Sequence, residues 1–204
     1  KHCVRVFVAD VMGHGARSAL MTAILHALIS DTAKADSDPS HLLQRMNKEF
    51  YDIGQRTGDT LFVTAIHLII DTRLRTIRYA VAGHPSPLII DHASGNVELL
   101  IPEDQPAPAA GLLPDTVYSG MERKIEKEQS ILLYTDGVTE ARNPQDEEFG
   151  TDRLIQTVKV CCETGRKASL PKYVLEILES YMNTAVAMDD ICLVAIDILK
   201  ARKR

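Results

Sequence analysis

The succession of strand-like and helix-like segments constrains this chain more than any other feature. Short apolar runs bounded by Gly, Pro, Asn or Asp read as strands at 4–9 (VRVFVA), 61–70 (LFVTAIHLII), 76–82 (TIRYAVA), 87–91, 97–101, 117–125, 130–135 (SILLYT) and 190–199 (DICLVAIDIL). Apolar residues at helical spacing occupy 16–34, 40–54 after Asp38-Pro39-Ser40, 151–163, and 170–186, where Pro171 falls in the first turn. The order is therefore a strand, two helices, a block of strands, two helices and a last strand. The connections at 71–76 and 92–96 leave no room for crossover helices, so the strands they join are antiparallel. Strands in blocks and helices in pairs predict a layered α+β fold rather than an alternating parallel-sheet enzyme.

One domain is the expectation for 204 residues of which 45% are hydrophobic and 25% charged. No apolar run approaches the roughly 20 residues of a membrane helix, and no basic-then-apolar export pattern opens the chain; the expected location is the cytoplasm. The net charge of −5 and the absence of a basic stripe, apart from KARKR at the end, argue against nucleic acid. Cys3, Cys161, Cys162 and Cys192 show neither a CxxC spacing nor a disulfide framework. The proline-rich stretch 102–116 reads as a loop.

Three acidic positions share one context, an aspartate where an apolar strand meets a turn. VFVADVMGHG delivers Asp10 ahead of Gly13-His14-Gly15 and a helix; ILLYTDGVTE delivers Asp136 ahead of Gly137; Asp189-Asp190 precede the last strand. Hard divalent cations such as Mg²⁺ and Mn²⁺ take carboxylate and water oxygens, and rigid strand ends suit them. A pair of such ions activates a water and neutralises a transferring phosphoryl group, so that no protein nucleophile is needed. Each acid alone also reads as a turn former or cap, and their combination is what points to a metal centre. His14 reads as a turn residue or as a general acid near a leaving group. Ala82-Gly83-His84-Pro85-Ser86-Pro87 reads as a rigid turn, and Asn143–Glu148 as a solvated acidic loop.

Together VADVMGHG, AVAGHPSPLII, ILLYTDGVTEARN, EEFGTDRL and DDICLVAIDI resemble, in order and interval, the SpoIIE/RsbU-type branch of the metal-dependent (PPM, type 2C) serine/threonine protein phosphatases. The resemblance spans essentially the whole chain. It implies an α/β/β/α sandwich of two antiparallel sheets flanked by helix pairs. It also implies two Mn²⁺ or Mg²⁺ ions. The bridging ligand falls on Asp10, a carbonyl ligand on Val11, and further ligands on Asp136 and on Asp189, with Asp190 beside it. The helices at 16–34 and 40–54 correspond to the family's regulatory pair.

The implied reaction is hydrolysis of phosphoserine or phosphothreonine by metal-activated water. The implied substrate is an anti-sigma-factor antagonist of the STAS type, and the implied neighbour is an upstream sensor or receiver domain. Family members carry a Gly-Gly-Asp-like motif upstream of the DVMGHG strand, and this sequence starts downstream of it. The expectation is thus a piece of a larger regulatory protein, lacking a first strand or hairpin and short of one ligand. Two other readings are a non-catalytic interaction module of the same fold, which would not need the three aspartates, and a hydrolase of a small phosphorylated metabolite.

Overall fold

The computed structural model describes residues 2–13, 15–32, 38–101, 107–126, 128–164, 170–183 and 189–198. His14, parts of the 102–116 loop and the C-terminal KARKR lie outside them. Eight strands are described, β1 (Cys3–Val11), β2 (Val63–Asp71), β3 (Thr76–Ala82), β4 (Leu88–Asp91), β5 (Val97–Leu99), β6 (Met121–Lys124), β7 (Gln129–Tyr134) and β8 (Leu193–Asp197). They are joined by helices α1 (Ala16–Thr32), α2 (Pro39–Thr57), α3 (Asp136–Thr139), α4 (Gly150–Glu163) and α5 (Leu170–Met182). The chain divides into two compact units, Lys1–His84 with Gln105–Ile125, and Pro85–Asp104 with Glu126–Arg204.

The first unit is a four-stranded antiparallel sheet in the order β1-β2-β3-β6. Helix α2 packs on β2 and β3, and α1 lies against α2 and β1. Leu42, Leu43, Met46 and Phe50 recur at helical spacing along α2 and are all buried, as Val63 and Ala80 are on the sheet. Asp38 starts α2: its Oδ1 accepts from the Ser40 N–H at 2.9 Å, and Pro39 occupies the first turn, where no N–H is missed. The helix runs to Thr57, past the sequence limit at Gly54. That glycine marks a close approach instead of an end, since a Cβ there would stand 2.6 Å from the Asp59 carbonyl oxygen.

A buried amide ties the loop after residue 107 to this helix. Asn47, 2% exposed, donates from Nδ2 to the carbonyls of Leu113 (2.9 Å) and Pro114 (3.0 Å), and its Oδ1 accepts from the Gly111 N–H at 2.8 Å. The Tyr118 hydroxyl also donates to that oxygen at 3.4 Å, and burial pushes the phenol up to about 12. Replacing Asn47 with Leu strands an N–H and two carbonyls. The expected result is a loss of about 3 kcal/mol, read as a lower urea midpoint at unchanged m-value.

The second unit repeats the plan with a sheet in the order β5-β4-β7-β8, antiparallel throughout, on which α4 and α5 pack. Leu88, Ile90, Leu132 and Tyr134 of the sheet meet Leu154, Val158, Val174 and Leu178 of the helices in one buried cluster. Strand β7, which lies between β4 and β8 in the sheet, is buried along its whole length. No helix among the described residues is long and apolar enough to cross a membrane.

Candidate metal centre

In the second unit the final residues of β7 and the approach to β8 are locked together by one hydroxyl. Thr135, 5% exposed, donates from Oγ1 to the Asp190 carbonyl at 2.8 Å and accepts the Cys192 N–H at 2.9 Å. Its own N–H reaches the Cys192 carbonyl at 3.2 Å, one step beyond the Tyr134–Leu193 pair of the ladder. Asp136 follows as the first residue of α3, a single helical turn where the sequence reading places a plain turn. Its Oδ1 accepts the Gly137 N–H at 3.0 Å. Gly137 cannot carry a side chain here, because a Cβ would stand 2.5 Å from the Asp190 carbonyl oxygen.

This clamp sets Asp136 against Asp189, with carboxylate oxygens within 4.8 Å of one another. Asp189 Oδ1 also accepts the Asp190 N–H at 2.7 Å, which orients it, whereas Asp190 serves the clamp through its backbone carbonyl. A cavity of about 310 Å³ opens beside them, lined by Gly137, Glu140, Ala141, Arg142, Asp146 and Asp189. Desolvation first, then the negative charges of Asp136, Glu148 and Asp189, hold the Glu140 carboxyl above the usual glutamate range, with Arg142 pulling the other way. The Arg142 guanidinium is engaged by Asp146 Oδ1 at 3.0 Å and Glu148 Oε1 at 2.5 Å.

The acidic loop 143–148 is more built than its composition suggests. Asn143 Oδ1 accepts the N–H groups of Gln145 and Glu147, and the Tyr181 hydroxyl of α5 donates to the carbonyls of Glu147 and Glu148. Arg153 of α4 adds bonds to the carbonyls of Glu148 and Phe149, and its guanidinium stacks 5.3 Å over the Tyr181 ring. The loop that carries Asp146 of the cavity lining is therefore tied to α4 and α5.

In the first unit Asp10 is the penultimate residue of β1, paired across the ladder with Thr64, and Val11 ends the strand opposite Val63. The Thr64 hydroxyl meets His84 Nδ1 at 3.0 Å. His84, 7% exposed, is thus more than part of a turn, since it braces the cross-strand partner of Asp10. Gly13 and Gly15, between β1 and α1, are both at φ 85°, a backbone conformation that favours glycine.

The donor set of the second unit consists of hard carboxylate oxygens, and Arg142, which lines the cavity, is already paired with Asp146 and Glu148. Such a set fits Mg²⁺ or Mn²⁺ and is unsuited to soft metals. The roles that the sequence alone does not show are those of Thr135, Gly137 and Arg142. Only the juxtaposition of β7 and β8 reveals the first two.

A family model described as stage II sporulation protein E (SpoIIE) matches residues 1–199. The chain belongs to the SpoIIE family. Among curated relatives of this SpoIIE-family chain, phosphoserine phosphatase RsbP of Bacillus subtilis (strain 168) is 31% identical over 139 residues, covering 68% of the chain and 34% of RsbP. Phosphoserine phosphatase RsbU of the same organism is 24% identical over 142 residues, covering 70% of the chain and 41% of RsbU. The SpoIIE-family chain thus spans about a third to two fifths of these relatives.

Solved structures show the fold. The SiaA-PP2C domain of Pseudomonas aeruginosa superposes with a TM-score of 0.77 at 21% identity, over 96% of this chain and 80% of that one. The PP2C phosphatase domain of SpoIIE from Bacillus subtilis, with a fragment of its regulatory domain, gives 0.72 at 17% identity, over 95% and 54%. The α+β expectation of two antiparallel sheets with helices is met.

Proposed function

We propose that this SpoIIE-family chain is the catalytic domain of a metal-dependent protein phosphatase that removes phosphate from phosphoserine or phosphothreonine of a partner protein. The observation that supports this most is the meeting of Asp136 and Asp189, held by a buried hydroxyl beside an open acidic cavity. Family membership and the names of RsbP and RsbU support the phosphoserine specificity. The same kinship supports a STAS-type antagonist as the substrate and a sensor or receiver domain elsewhere in the protein.

In the second unit Asp136 and Asp189, with Asp190 beside them, would hold Mn²⁺ or Mg²⁺; in the first unit the family resemblance carries ligand roles onto Asp10 and the Val11 carbonyl. Bound ions would supply charge neutralisation and an activated water. The residues themselves do the positioning. Thr135 fixes the backbone on both sides of the gap between Asp136 and Asp189, so their oxygens stay close despite mutual repulsion. Without counter-charge the carboxylates of Asp136, Glu140 and Asp189 repel a phosphomonoester dianion. Substrate access therefore depends on the cations that the same carboxylates attract. The cavity is open and acidic, not enclosed and basic, which favours a phosphate presented on a protein surface over a free small metabolite.

The test is release of phosphate from p-nitrophenyl phosphate and from a phosphorylated STAS-domain protein by the full-length protein. Turnover that requires Mn²⁺ and is abolished by chelation is expected for both. Turnover that survives chelation would rule out the metal assignment, and no turnover of any phosphoprotein would favour a binding module.

A further inference from the structure

At the far ends of β7 and β8 from the acidic residues, four side chains form a continuous hydrogen-bonded line. Cys162 Sγ, in the last turn of α4, lies 3.9 Å from His92 Nδ1, just after β4. His92 Nε2 lies 2.7 Å from Ser130 Oγ of β7, and Ser130 Oγ lies 2.6 Å from Asp197 Oδ1 of β8. Ser130 and Asp197 are direct cross-strand partners.

The direction of these bonds follows from which groups can donate. An ionised Asp197 only accepts, so the 1%-exposed Ser130 hydroxyl donates to it and receives with its own oxygen. The group facing that oxygen is then the N–H of His92 at Nε2. Its other nitrogen, Nδ1, is left with a lone pair turned toward the Cys162 thiol. This is the order of a base oriented by a third group and facing a nucleophile. Cys162 is partly exposed, whereas its neighbour Cys161 is buried. A helix C-terminus disfavours an anion, so the helix does not favour the thiolate, and the basic group that faces Sγ is His92 Nδ1.

The geometry points to Cys162 as a reactive thiol that forms a mixed disulfide with low-molecular-weight disulfides. The thiol proton passes to His92 Nδ1, and Sγ attacks one sulfur of the disulfide. A Cys162–S bond forms as the original S–S bond breaks, and the departing thiolate takes the proton back from His92. No other oxidant is needed, since the small disulfide is reduced as Cys162 is oxidised.

The folded full-length protein is to be incubated with glutathione disulfide at neutral pH, and each cysteine followed by peptide mass spectrometry. An ordinary thiol is only a few per cent ionised there, so Cys162 should react about tenfold faster than the exposed Cys3 and Cys192. His92→Gln should bring it down to their rate, and Asp197→Asn, at an exposed position, should slow it severalfold with the circular dichroism spectrum unchanged. A Cys162 rate no higher than that of Cys3 overturns the proposal in the wild-type protein alone. So does an undiminished rate in either variant.

Discussion

Replacing Asp136 with Asn is expected to lower kcat for a phosphoprotein by about a thousandfold, equivalent to roughly 4 kcal/mol of transition-state stabilisation, while leaving the fold intact. The side chain keeps its shape and an oxygen for the Gly137 N–H, so the turn after β7 survives. It loses the charge that a divalent cation requires. Asp189→Asn should behave alike, because its carboxylate faces Asp136 across less than 4.8 Å. Asp190→Asn should cost far less, since the bond that Asp190 makes to Thr135 uses its backbone carbonyl. Steady-state kinetics at saturating Mn²⁺ separates the three. Equal losses at 189 and 190 would contradict the placement of the ligand on Asp189.

The second large effect concerns a residue without chemistry. Gly137→Ala puts a methyl group 2.5 Å from the Asp190 carbonyl oxygen and 3.0 Å from its carbon, and backbone atoms cannot swing aside as a side chain does. The segment 189–190 must retreat by about 1 Å, and a displacement of that size in a catalytic constellation costs on the order of a hundredfold in rate. The direction is diagnostic. Inside an ordinary helix, Gly→Ala stabilises by about 0.5–1 kcal/mol, so a slower enzyme with weakened Mn²⁺ affinity would report the close approach and not helix propensity. Thermal unfolding together with a Mn²⁺ titration of activity checks it; unchanged kinetics would show that the two strand ends move independently.

The elements that the sequence reveals are those whose signal is local. β2 and β3 are apolar-rich runs with a short hairpin between them, and Asp38-Pro39-Ser40 carries its own capping chemistry, so both strands and the start of α2 fall within a residue or two of expectation. Among the described residues, which end at 198, the strands expected at 117–125 and 190–199 are observed only as Met121–Lys124 and Leu193–Asp197. Composition there extends beyond the ladder, whose length is set by the partner strand. Pairings such as β3 with β6, or β7 with β8, join distant segments and leave no trace in either one.

The same division runs through the site. Asp10, Asp136 and Asp189 are visible because each stands where an apolar strand meets a turn. Thr135 and Gly137 look like ordinary turn residues until β8 is set beside β7. Arg142 shows its role only once the loop folds back and brings Asp146 and Glu148 to it. His84 becomes meaningful through Thr64, twenty residues away.

The central claim is that Asp136 and Asp189 hold a divalent cation, and Mn²⁺ binding tests it without any assumption about substrate. Electron paramagnetic resonance of free aqueous Mn²⁺ should show the signal depleted when the wild-type protein is added. It should stay near full intensity with Asp136→Asn or Asp189→Asn at the same concentration. If both variants deplete the signal as the wild type does, the aspartates do not hold the metal and the account is wrong.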